Sequence, residues 1–206
     1  MAECDDRDTR RTVRRMNAAG FPRDKRVDEF DFDANPNVPA ATVHQSAGCA
    51  WVKAGQPLCL IGDSGTGKTH LLIALGTAAQ AGRSVRYVLA SKLVNELVEA
   101  ADDKHPSKTI GRYGRVDLLI CVELGYLELD RRGAELLFQV LTEREEKSAI
   151  AIASNEPFSG WTKTFTDPGS APPSSTGSPS TARSSKPAPP AIGSLAHARA
   201  SRSPKP

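Results

Sequence analysis

The sequence predicts an α/β protein whose parallel sheet is flanked by helices on both faces. Strand-like and helix-like segments alternate between residues 57 and 153, which is the pattern of a parallel sheet with helical crossovers. The runs Leu118–Ile120 and Ala149–Ile152 are apolar throughout, as strands buried on both faces are. Between the first strand and the first helix, residues 62–69 read GDSGTGKT, a complete phosphate-binding loop motif.

Local signals predict each element in turn. Residues 3–19 form a charged helix, and residues 21–48 are mostly irregular, with Phe30 and Phe32 anchored on the core and a short helix near residue 43. Ser91 and Asp130 are the predicted N-caps of two later helices. The remaining predicted elements are strands 57–61, 85–89, 117–122 and 149–153, and helices 68–81, about 92–102, and 131–146.

The phosphate-binding loop predicts a nucleoside triphosphate site. Glycines let the backbone wrap a phosphate, and the N-terminus of the following helix favours an anion. Lys68 would reach the β- and γ-phosphates, and the Thr69 hydroxyl would ligate Mg²⁺. The alternative is a chance glycine-rich turn, against which the strand and helix around the loop argue. We expect ATP and Mg²⁺ as cofactors, bound by Gly62, Asp63, Ser64, Gly65, Thr66, Gly67, Lys68, Thr69 and His70.

The composition divides the chain into four parts. The segment 169–206 is rich in Ser, Pro, Ala and Gly, which predicts a disordered basic tail. That tail holds five of the 27 basic residues and no acid, which leaves 22 basic against 24 acidic residues and a net charge of −2 for residues 1–168. The predicted parts are a charged N-terminal helix (1–20), an irregular linker packing on the core (21–48), a truncated ATP-binding core (49–168) and the tail (169–206).

Cysteine usage and hydropathy predict a soluble cytoplasmic protein. The four cysteines, at 4, 49, 59 and 121, have no paired spacing, which is typical of reduced thiols rather than disulfides or a metal site. No apolar stretch reaches membrane-spanning length, and the charged N-terminus lacks the core of a signal peptide.

The N-terminal helix carries an arginine stripe with two interpretations. Arginines at 7, 10, 11, 14 and 15 have the spacing of one helical face, from which they would contact DNA phosphates. A solvated helix face is an equally simple interpretation, since acidic residues at 3, 5, 6 and 8 lie beside them.

With the loop and the last two strands identified, the chain resembles the IstB transposition helper ATPases, relatives of the DnaC helicase loader within the AAA+ group. The resemblance extends from about residue 10 to residue 168 and is carried by residues 116–119, 123–126, 130–138 and 153–161. It implies an AAA+-type P-loop NTPase that binds DNA nonspecifically, forms homo-oligomers and serves a cognate transposase.

The resemblance also implies catalytic residues, and it identifies one position at which this chain differs from the family. In this family the third strand ends in Asp-Glu, where the Asp holds Mg²⁺ through water and the Glu polarises the attacking water. Here Val122 occupies the Asp position and Glu123 the Glu position. Asp117 lies roughly 17 Å back along the strand and cannot substitute. Asn155 matches the residue that orients the lytic water, with a simple turn residue as the alternative. We expect weak ATP binding and little hydrolysis.

The tail itself suggests a shifted reading frame. GC-rich codons for the family's sequence after the equivalent of residue 168, read with one base deleted, give residues 169–189 of this chain. A single-base deletion would therefore have replaced the family's C-terminus, which by resemblance holds an arginine finger, the lid and the last core strand. We expect poor stability and an unpaired first strand at the sheet edge. A genuine Pro/Ser linker is the alternative.

Three other functions fit parts of the sequence. A nucleotide-dependent DNA-binding module would bind ATP and never hydrolyse it. A non-functional relic of an insertion element would account for both Val122 and the tail. A P-loop kinase would need an acceptor pocket, which the Ala-Ser-Asn-Glu-Pro-Phe block after the fourth strand fits poorly.

Overall fold

Four parallel strands form one sheet in this computed structural model, which describes residue 10 and residues 13–126, 129–145 and 147–156. The strand order is β1-β4-β3-β2, so both central strands have neighbours on each side. The predictions for residues 1–9 and for the tail lie outside the described residues. The strands are β1 (Leu58–Ile61), β2 (Val85–Leu89), β3 (Leu118–Val122) and β4 (Ala149–Ser154).

Helices cover both faces of the sheet, as the alternation of segments predicts. The helices are α1 (Ala40–Ala47), α2 (Ala50–Lys53), α3 (Lys68–Gln80), α4 (Ala90–Asp102), α5 (Pro106–Gly114) and α6 (Arg131–Arg144), and residues 13–19 are also helical. None of the helices in the described part is long and apolar enough to cross a membrane.

Alternate side chains of the central strands build two separate cores. Leu118, Ile120 and Val122 join a cluster with the apolar residues of α3. Leu119 and Cys121 face the other way, into a cluster with α4, α5 and α6. All five residues of β3 are buried, which explains the absence of polar alternation in its sequence.

The linker before the sheet is anchored as predicted. Phe30 is buried, and Phe32 packs against the same core. The short helix expected near Val43 is α1, in which Val43 is buried. The N-terminal helix ends at Gly20, whose φ of +72° is a conformation that glycine adopts without strain.

Two expectations about helices were wrong. Ser91 is not an N-cap, because β2 runs directly into α4 and the cap is Leu89. No element was predicted between residues 103 and 116, where α5 lies, or between residues 49 and 56, where α2 lies. By contrast, Asp130 caps α6 as predicted, its carboxylate accepting a hydrogen bond from the Gly133 amide at 2.7 Å. Other boundaries differ from prediction by one or two residues.

Candidate nucleotide-binding site

The phosphate-binding loop lies between β1 and α3, at the carboxyl end of the sheet. Gly65 and Gly67 have φ values of +82° and +81°, a region that side-chain-bearing residues rarely adopt. Gly67 is also the N-cap of α3. The Gly62 amide donates to the Ser154 carbonyl at 3.2 Å, which ties the start of the loop to the end of β4. The loop is therefore built as the motif predicts, with a helix N-terminus directed into it.

Lys68 lies inside the loop with its ammonium group held by the loop backbone. Its Nζ donates to the carbonyl oxygens of Gly62 and Asp63, both at 2.7 Å. The residue is 9% exposed. Burial lowers the pKa of Lys68, and the Asp63 carboxylate opposes this shift. The buried cation is a preformed counter-charge for a phosphate group.

A cavity of about 340 Å³ opens over this loop and gathers most of the predicted site residues. It is lined by Ser64, Gly65, Thr66, Gly67, Lys68, Thr69, His70, Glu123, Ala153 and Asn155. Gly62 and Asp63 do not line it, but their carbonyls position Lys68. The three segments that supply the lining are the loop, the end of β3 and the end of β4.

Glu123 and Asn155 reach this cavity from adjacent strands. Glu123 is exposed and has a φ of +64°, a conformation that costs a non-glycine residue about 1–3 kcal/mol. The Asn155 Oδ1 atom is buried and has no hydrogen-bond partner among the described residues. Both residues line the cavity, and a strained residue beside an unpartnered buried polar atom is typical of a functional site.

The position before Glu123 is apolar in structure as well as in sequence. Val122 is 1% exposed and pairs in register with Leu89 and Ala153. Its side chain belongs to the core on the α3 side of the sheet. Asp117, which sequence distance excludes as a substitute, instead accepts hydrogen bonds from the Ser84 amide and hydroxyl at 2.7 Å.

Only a few residues of the cavity can serve as Mg²⁺ ligands. The Thr69 hydroxyl and the Glu123 carboxylate line the same cavity. Within the described residues, no group of three or more His, Cys, Asp or Glu side chains is arranged to hold a metal. Mg²⁺ commonly binds through one or two carboxylates together with substrate phosphates, so Thr69 and Glu123 would suffice only with a phosphate ligand present.

Sequence reasoning missed an aromatic contact that supports the loop. The Phe30 ring lies so close to Gly67 that a Cβ there would fall 2.6 Å from a ring carbon. Phe30 also meets the His70 ring edge-on, with centroids 5.4 Å apart. The His70 Nε2 atom lies 3.2 Å from the Arg26 carbonyl oxygen. Phe30 was recognised as a core anchor, but only the fold places it against the loop.

The fold and this site define an AAA+-type P-loop protein. The DnaC helicase loader has the same fold, with a TM-score of 0.58, 20% identity, and coverage of 74% of this chain and 89% of that one. DnaI matches with a TM-score of 0.57, 21% identity, and coverage of 69% and 78%. A family model described as IstB-like ATP binding protein matches residues 1–172. The chain belongs to this IstB-like family.

Individual relatives agree with the family assignment. The chain is 34% identical over 154 residues to an insertion sequence IS21 ATP-binding protein of Pseudomonas aeruginosa, covering 74% of this chain and 58% of the relative. It is 32% identical over 149 residues to an insertion sequence IS232 ATP-binding protein of Bacillus thuringiensis, covering 72% and 60%. The chain therefore aligns with little more than half the length of these relatives.

Proposed function

We propose that this chain is a cytoplasmic ATP-binding protein of the IstB type, ancestrally an ATP-dependent DNA-binding helper of insertion-sequence transposition. The observation that carries the proposal is the cavity in which the buried Lys68, the Thr69 hydroxyl and the Glu123 carboxylate meet. The relatives are named as ATP-binding proteins of insertion sequences, and these names support ATP binding and the link to insertion sequences.

Each residue of the cavity has a role in this proposal. Lys68 exchanges its bonds to the Gly62 and Asp63 carbonyls for bonds to the β- and γ-phosphates. The loop amides and the N-terminus of α3 bind the remaining phosphate oxygens. Thr69 would hold Mg²⁺, which would supply positive charge to neutralise the phosphates.

Hydrolysis would depend on Glu123 and Asn155. Glu123 accepts a hydrogen bond from the attacking water and polarises it, and the amide group of Asn155, which lines the same cavity, orients that water. Val122 provides no oxygen where the family has a carboxylate, so the metal would depend on Thr69, the phosphates and Glu123. We infer that ATP binds weakly and turns over slowly, since a Glu123 that helps to hold the metal would be less available to the attacking water.

Equilibrium binding tests the nucleotide site. A fluorescent ATP analogue should bind the wild-type chain, and Lys68→Ala should weaken that binding at least about tenfold, because a charge-assisted phosphate contact contributes about 1.5–3 kcal/mol. Lys53→Ala is the matched control, as Lys53 is exposed at the end of α2. Equal affinities of the wild type and Lys68→Ala would contradict the proposal.

A binding module without turnover is the second candidate, and the buried Val122 favours it. Such a module would retain DNA more strongly with ATP and release no phosphate. Phosphate release measured for the wild type and Glu123→Gln separates the two candidates. Turnover that Glu123→Gln abolishes supports the enzyme, and absence of turnover in both supports the module. A non-functional relic would bind neither ATP nor DNA.

A further inference from the structure

A second cavity, of about 220 Å³, lies at the opposite end of the sheet from the phosphate-binding loop. It is formed by the N-terminal helix, the start of β2, the end of α5 and the segment that leads from α5 into β3. Three arginines line it, namely Arg15, Arg86 and Arg112, and each comes from a different one of these elements. We call it the arginine cavity.

The guanidinium groups retain donors that can reach a ligand. The Arg86 Nη1 atom donates to the Ala18 carbonyl at 3.1 Å, which fixes the side chain against the N-terminal helix. Arg112 is paired with Glu96 and lies over the Tyr113 ring, 5.1 Å from its centroid. A guanidinium has five N–H donors, and these contacts leave most of them available.

The charge balance around the arginine cavity is positive. Its two nearby carboxylates already have partners: Glu96 accepts from Arg112 and from the Tyr113 hydroxyl at 2.7 Å. Asp117 accepts from Ser84 and interacts electrostatically with Arg83 and Arg15. Three arginines and no carboxylate stand among the residues that line the cavity, which favours an anion there.

Part of the cavity lining is apolar and consists of short side chains. Ala18, Val85 and Val116 line the cavity together with the arginines. Apolar lining lowers the local dielectric constant, which strengthens the attraction of the guanidinium groups for an anion. Arginines beside such a surface suit a phosphate group, which guanidinium groups recognise by paired hydrogen bonds.

We propose that the arginine cavity is a second anion site, which binds a phosphodiester phosphate of nucleic acid. It places a nucleic-acid contact at the end of the sheet remote from the nucleotide, built from one helix, one strand and one helix end. The inference rests on the DNA-binding part of the proposed function. It does not depend on ATP binding or hydrolysis.

Fluorescence anisotropy with a labelled single-stranded oligonucleotide tests the site. We expect Arg86→Gln combined with Arg112→Gln to weaken binding at least about fivefold and to reduce the slope of log affinity against log salt by about one per arginine. Arg132→Gln is the matched control, since Arg132 is an exposed arginine paired with Asp102 away from the cavity. Equal weakening by the control would overturn the site in favour of general surface charge.

A second arm separates nucleic acid from a free anion. If the wild type fails to bind the oligonucleotide, the DNA-binding proposal fails, and pyrophosphate is titrated in a Lys68→Ala background that removes the phosphate-loop site. A rise in melting temperature that disappears with Arg86→Gln and Arg112→Gln supports an anion site without nucleic acid. No rise overturns the site. Matching circular dichroism spectra of all variants control for folding.

Discussion

Glycine at position 125 allows the ends of two neighbouring strands to meet beside the phosphate-binding loop. It lies in the 3-10 turn Leu124–Tyr126, directly after the strained Glu123. A Cβ at this position would fall 2.5 Å from the Asn155 Oδ1 atom and 2.8 Å from the Ser154 hydroxyl. The absence of a side chain at Gly125 therefore lets the turn that follows Glu123 pack directly against Asn155. Glu123 is the proposed base, and Asn155 is the residue proposed to orient water.

Gly125→Ala should displace Asn155 and destabilise the fold. Overpacking of this kind costs about 1–3 kcal/mol, because the neighbouring atoms belong to the short, packed side chains of Ser154 and Asn155. Urea unfolding measures the loss. Gly111→Ala is the control, since the nearest atom to its Cβ is 4.0 Å away and it lies inside α5, where alanine is favoured. Equal stability of both variants would refute the packing argument.

Val122→Asp should restore a metal-linked gain in ATP affinity. The carboxylate would point to the α3 side of the sheet, where the phosphate-binding loop lies. We expect ATP to bind at least about fivefold more tightly with Mg²⁺ than with EDTA in this variant, with a smaller ratio in the wild type. Val122→Asn, of similar shape but uncharged, is the control for polar burial. A ratio that stays at the wild-type value would mean that Val122 does not limit metal binding.

At the scale of elements, a buried arginine fastens α6 to the sheet. Arg144 is 1% exposed at the end of α6. Its guanidinium donates to the carbonyls of Tyr113, Val116 and Ala149, which lie at the end of α5 and at the starts of β3 and β4. Burial lowers the pKa of Arg144 to about 10, so the group remains charged at neutral pH and bonds three elements together.

Arg144→Met should cost at least about 2 kcal/mol of unfolding free energy, because each buried carbonyl left without a donor costs about 1–3 kcal/mol. Chemical denaturation monitored by circular dichroism measures this change. Lys147→Met just beyond the same helix is the matched control: its exposed ion pair with Glu143 contributes less than about 1 kcal/mol. Similar losses in both variants would show that Arg144 acts only through surface charge.

Sequence patterns predicted elements where one physical signal dominates. The buried strands and the Asp130 cap were predictable because apolar runs and capping residues act locally. Helix α5 was not, since Gly111 and Gly114 weaken its helical propensity and its stability comes from the tertiary burial of Tyr113. In sequence, Arg144 cannot be distinguished from a solvent-exposed helix residue. It is buried only because α6 packs against the amino-terminal ends of β3 and β4 in the folded protein.

At the scale of the whole molecule, the two ends of the sheet have separate chemistry. The carboxyl end holds the phosphate-binding loop with Glu123 and Asn155. The amino end holds the arginine cavity and the Arg144 bonds. In the first set, the sequence identified the loop because its motif is contiguous, and it identified Glu123 and Asn155 only through the family resemblance. It left the second undetermined, because those arginines are far apart in the chain and converge only in the folded protein.

The edge strand β1 is expected to limit the stability of the whole molecule. Within the described residues β1 pairs only with β4 and has no strand on its other side. An edge whose backbone groups stay unpaired favours association with other chains. A protein whose reading frame after codon 168 is restored, so that it encodes the family's C-terminus, should pair this edge. We expect it to melt at least about 5 °C above the present chain and to scatter less light on heating. A sharp, reversible melt of the present chain at the same temperature would contradict the exposed-edge argument, whereas resequencing the coding DNA tests the frameshift hypothesis itself.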